Sequence, residues 1–60
     1  MKKWEVNFVV YSDNNRTERK KFLIEAGNKK LATTRGMLEI NKLPNYKDKY
    51  KQVVSVEEVV

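Results

Sequence analysis

Cysteine and histidine are both absent from this chain of 60 residues, proline occurs once and glycine twice. Without cysteine there is no disulfide framework and no thiolate. Without histidine the commonest metal ligand and the usual general base are missing. The two glycines, Gly27 and Gly36, are too far apart to form a phosphate-cradling loop. No stretch approaches the ~18 consecutive apolar residues that span a bilayer. The opening "MKKWEVNFVVYSD" begins with two lysines, as a leader would. Glu5 and Asn7 break its apolar run, however, and no small-residue cleavage site follows. These features predict a soluble, cytoplasmic protein that holds no metal and no cofactor.

The remaining polar groups do not assemble into catalytic machinery. Ser12 and Ser55 have no histidine to activate them. Glu57 and Glu58 are adjacent in a strand-like segment, so they point to opposite faces and make no carboxylate pair. Asp13 and Asp48 fall in different loops. A domain this small also has little room for a ligand-sized pocket. The expectation is a protein that is not an enzyme.

What the chain does have is positive charge and alternating hydrophobicity. Thirteen Lys and Arg against eight Asp and Glu leave a formal net charge of +5, which favours acidic partners. The charges are spread along the sequence and form no disordered basic tail. A chain of this length buries only about 60% of the surface its unfolded form exposes, so a single core leaves it marginally stable.

Trp4, Val6, Phe8 and Val10 alternate with Glu5, Asn7, Val9 and Tyr11, the period of a strand with one buried face. "SDNNRT" then supplies turn residues that tolerate positive φ. Beyond it, Phe22, Ile24 and Ala26 alternate with Lys21, Leu23 and Glu25. The pattern predicts a hairpin with strands over about 3–11 and 18–26. "GN" at Gly27–Asn28 punctuates the chain, and Asn28 is a good helix N-cap. A helix over about 29–43 follows, its inner stripe made by Ala32, Gly36, Ile40 and Leu43 with Thr33 and Met37 beside it. Gly36 weakens a helix interior by about 1 kcal/mol relative to alanine, but in the buried stripe it permits close approach to a sheet. Pro44 closes the helix. The polar "NYKDKY" leads to a last strand over about 50–57. Regular alternation would put Tyr50, Gln52, Val54 and Val56 on one face and Lys51, Val53, Ser55 and Glu57 on the other.

The result is a single α+β domain over residues 1–60, ββαβ, with a three-stranded sheet and one helix on one face. The first strand is the most apolar and belongs in the centre, giving spatial order 2-1-3, with 1-2-3 as the alternative. The basic block "NNRTERKKF" then resolves by alternation: Arg19 and Lys21 share a face with Leu23 and Glu25, whereas Lys20 turns to the helix side. Such a block also discourages edge-to-edge aggregation.

Two surfaces are candidates for function. One is the sheet face away from the helix, where Val9, Tyr11, Leu23 and Val53 lie among charged groups. There Arg16, Arg19, Lys21, Lys51 and Tyr11 are the candidate nucleic-acid contacts. Contact with about four phosphates would give a salt slope of about −3.6 on duplex DNA. The other is the helix back, where Leu31 and Leu38 stand in line. With Leu23, Val9 and Val53, these two are the candidate protein contacts.

"KKFLIEAGNKKLATTRGMLEI" resembles the strand-then-helix segment of short ββαβ proteins carried by bacterial phages and mobile elements. That resemblance implies a small accessory protein that acts by binding, and it transfers no functional residue. The expected function is a non-enzymatic module contacting nucleic acid through a basic sheet face. The alternative is a protein-interaction module, a phage-type inhibitor or adaptor, that binds an acidic protein surface. Apolar groups on both exposed surfaces also make a homodimer an expectation, strengthening as salt screens the charge.

Overall fold

The computed structural model describes residues 1–60. Its elements run β1 (Lys2–Tyr11), β2 (Thr17–Ala26), α1 (Lys29–Asn41) and β3 (Tyr50–Val59). The sheet order is β2-β1-β3, with β1 antiparallel to both neighbours. The protein is therefore a ββαβ α+β fold in the 2-1-3 arrangement. No helix is long and apolar enough to cross a membrane.

The alternating residues of β1 form the core. Val6, Phe8 and Val10 are fully enclosed and Trp4 nearly so, with Ile24, Ala26, Ala32, Ile40 and Val56 packed around them. Phe22 meets Phe8 edge-to-face at 6.0 Å between ring centres. Trp4 resolves its polar atom by donating from Nε1 to the Ala26 carbonyl at 2.9 Å, so the ring stays buried without an orphaned N–H.

Local signals set the boundaries. The hairpin turns through residues 12–16, with Asn15 at φ 58°, a left-handed position that asparagine tolerates better than most residues. Asn28 caps α1: its side chain accepts from the Leu31 N–H at 2.8 Å, satisfying one free donor of the first turn. The helix ends at Asn41 rather than at 43. Lys42 and Leu43 instead donate to carbonyls three residues back, a tightened last turn before Pro44. Along α1, Ala32, Gly36 and Ile40 are the residues turned to the sheet. The guanidinium of Arg35 adds a tie, donating to the Glu25 carbonyl of β2 at 2.7 Å.

One feature of the sheet departs from the regular pattern. Asn7 pairs with Ser55 but Phe8 pairs with Val53, so Val54 is an extra residue in β3. A bulge of this kind reverses the facing of the strand on one side of it. Val56 stays on the helix side as expected. Tyr50 and Gln52 turn outward, whereas Lys51 and Val53 turn inward, the reverse of unbroken alternation. The reason lies in what the core accepts. Without the bulge Gln52 would take the inward place opposite Val10, which with it goes to Lys51, whose ammonium finds three carbonyl acceptors. With the bulge, Val53 packs against the core.

Candidate functional site

Register turns the outer sheet face into five cross-strand rows. Along it lie Thr17, Tyr11 and Tyr50; then Arg19, Val9 and Gln52; then Lys21, Asn7 and Ser55; then Leu23, Glu5 and Glu57; then Glu25, Lys3 and Val59. The first three rows carry Arg19 and Lys21 and no carboxylate. The last two carry three glutamates and one lysine, with Glu5 and Glu57 directly opposite each other. The face therefore has a basic half and an acidic half, and Arg16 stands exposed at the hairpin turn beside the basic one.

The basic half holds the aromatic groups. Tyr11 and Tyr50 lie with ring centres 5.4 Å apart and planes tilted by 41°. Tyr50 is 68% exposed. The Tyr11 hydroxyl donates to Gln52 Oε1 at 3.3 Å, a contact the bulge makes available by turning Gln52 outward. A shallow cavity of about 210 Å³ opens at the bulge, bordered by Asn7, Phe8, Arg19, Lys20, Lys21 and Val54. Asn7 is held by donating to Glu5 Oε1 at 3.2 Å and to Ser55 Oγ at 3.1 Å. Lys21 Nζ lies 3.9 Å from Glu5 Oε2, with the lysine exposed and the glutamate half-buried, a long pairing that another anion can displace.

The candidates from the sequence are thus divided. Tyr11, Arg19, Lys21, Val9 and Leu23 share the outer face, and Arg16 adjoins it. Lys51 and Val53 do not belong to it, because the bulge turns them to the helix side. The Lys51 ammonium donates to the carbonyls of Tyr46, Lys49 and Lys47 at 2.8, 3.0 and 3.1 Å. It ties down the 42–49 connection and leaves the set of candidate contacts. Tyr50 joins the outer face although alternation alone put it on the helix side, since nothing in the local sequence marks Val54 as an extra residue.

Two predictions arise from this connection. Lys51→Met keeps the aliphatic stem but removes three charge-assisted hydrogen bonds. It should cost about 1.5–3 kcal/mol and raise hydrogen exchange over residues 46–49, measured by thermal unfolding and exchange spectra. The second concerns Tyr46, whose hydroxyl donates to Glu18 while Lys20 Nζ lies 5.9 Å from its ring centre. The bond to Glu18 holds the phenol above its ordinary pKa, with smaller contributions from desolvation and from the carboxylate's charge. A raised folded-state pKa stabilises fully below the unfolded value, about 10, and is lost as pH rises through the folded one. Denaturant unfolding as pH rises above about 10 should therefore show the native protein losing stability faster than Tyr46→Phe. Parallel pH curves would refute it.

The helix back is less unified than its spacing implied. Leu31 and Leu38 are both exposed, Leu38 to 59%. Leu38 borders a groove of about 390 Å³ between α1 and the free edge of β2, with Leu23, Ile24, Glu25, Arg35, Glu39 and Lys42 as its other walls. Leu31 lies outside that groove. Glu57 and Glu58 separate as expected, one opposite Glu5 on the outer face and the other opposite Trp4.

Comparison with family models, with curated proteins and with solved structures finds no match to this chain.

Proposed function

We propose that this protein is a small non-enzymatic binding module that contacts nucleic acid through the basic half of its outer sheet face. The observation that carries the reading is the tyrosine pair, 5.4 Å apart, in the same three rows as Arg19 and Lys21 and with no carboxylate among them. Aromatic faces stack bases and cations hold phosphates. Arg16, Arg19 and Lys21 are the phosphate contacts in this reading, and Tyr11 and Tyr50 the stacking groups. With about three phosphates engaged, log K should fall against log salt with a slope of about −2 on single strands or −3 on duplex. Fluorescence anisotropy with a labelled oligonucleotide at two salt concentrations tests this. Arg19→Glu combined with Lys21→Glu should abolish binding, and undiminished binding by that variant would sink the proposal.

The groove beside Leu38 favours a second reading, a protein-interaction module, and the same basic rows would suit an acidic protein surface. Retention of one defined protein on the immobilised chain after nuclease treatment supports that reading. Pairing of two copies over the apolar groups at Leu23 and Leu38 would strengthen with salt, because +5 on each copy repels. Sedimentation at low and high salt separates it from nucleic-acid binding, which weakens with salt.

A further inference from the structure

Resting on the nucleic-acid reading, we propose that the ligand is a single strand. Two neighbouring bases stack on Tyr50 and Tyr11, the backbone passes Arg19 and Lys21, and the strand leaves the sheet before the row of Glu5 and Glu57.

The shape of the surface argues against a duplex. A major groove about 12 Å wide admits a helix or a two-stranded ribbon. The outer face here is three strands across, so its outer backbones alone are about 10 Å apart before any side chain is added. The helix that would fit such a groove is packed on the opposite face, with Ala32, Gly36 and Ile40 buried against the sheet. A duplex also hides the faces of its bases within the stack, whereas Tyr50 at 68% exposure presents a ring on which an unstacked base can stack.

Length and charge set the footprint. Successive rows are about 6.7 Å apart along the strands, so the tyrosines, Arg19 and Lys21 mark three stations over about 13 Å. Arg19 and Lys21 also border the bulge cavity together with Lys20, a recess whose cations suit a phosphate. At the next row Glu5 and Glu57 are paired across the strands, and two facing carboxylates repel a phosphate chain. The face therefore engages a short stretch, two bases and their phosphates, and reads no duplex base edge.

Anisotropy measurements on the full chain test this with three probes. These are mixed-sequence DNA and RNA single strands of about twelve nucleotides, within the range one such module covers, and the same DNA annealed to its complement. The single strands should bind at least about tenfold more tightly than the duplex at equal salt. Tyr50→Ala and Tyr11→Ala should each weaken single-strand binding roughly 5- to 150-fold, as loss of one stacked base does. Tyr50→Phe keeps the ring and should retain most of the affinity. Near-ultraviolet dichroism of the buried Trp4 verifies that each variant is folded. Equal or tighter duplex binding, or indifference to both alanine variants, overturns the inference. If salt-dependent binding still vanishes in the Arg19/Lys21 double variant, the broader nucleic-acid reading survives that failure. Absence of binding to every probe at low salt removes both.

Discussion

Phe8→Ala is expected to abolish cooperative unfolding at room temperature. Phe8 is 1% exposed at the middle of the central strand, between Phe22 on one side and the bulge of β3 on the other. Truncating a buried phenylalanine costs about 3–5 kcal/mol, the lost transfer energy plus a cavity the neighbours only partly close. A domain of this length has about 3–9 kcal/mol in total. No disulfide or second core offsets the loss. Thermal melts followed by far-ultraviolet dichroism should lose their sigmoid, and the near-ultraviolet signal of Trp4 should collapse with them. A cooperative melt within a few degrees of the native one would mean that the core is not organised around this ring. Phe8→Leu, which keeps most of the volume, should lie between the two.

The second large effect is at Gly36, where two influences have opposite signs. Replacing a helical glycine with alanine ordinarily gains about 1 kcal/mol. Here a Cβ would sit 2.9 Å from Val6 Cγ1 and 3.2 and 3.3 Å from its Cβ and Cγ2. Val6 is fully buried and β-branched, so it cannot rotate away, and overpacking of this kind costs about 1–3 kcal/mol. Gly36→Ala should therefore be neutral to destabilising by about 2 kcal/mol. Gly36→Leu should prevent α1 from docking at all. The decisive measurement is the cycle with Val6→Ala: in that background Gly36→Ala should become stabilising, because the new methyl fills the space the valine leaves. Additive effects in urea melts would show that the helix does not approach the sheet as closely as 2.9 Å requires.

Much of this arrangement follows from short-range patterns. The period-two run from Trp4 to Val10 can satisfy an apolar face only as a strand, and its lack of charge on that face assigns it to the centre. Asn28 with its free side-chain oxygen starts the helix, and Pro44 stops it by excluding helical geometry at the residue before it. Gly36 in the buried stripe is readable as a contact point because no side chain competes for the space. These signals act within a few residues, so they survive without knowledge of the rest of the chain. The boundaries were less legible: β3 runs to Val59, and α1 stops two residues early.

The candidate site was legible only in half. Arg19, Lys21 and Tyr11 follow from alternation along two strands joined by the short hairpin loop 12–16. The partner ring, Tyr50, and the removal of Lys51 both depend on the single extra residue at Val54. "YKQVVSVEEVV" alternates acceptably with or without a bulge, so its residue pattern establishes that a third strand exists and what side chains it brings. Only the packed structure decided which of them face outward. Once Val56 is seated against Val6 and Val53 against Phe8, two apolar contacts separated by three residues cannot share a face of a regular strand. One residue must be extruded, and the tertiary fit to β1 chose it.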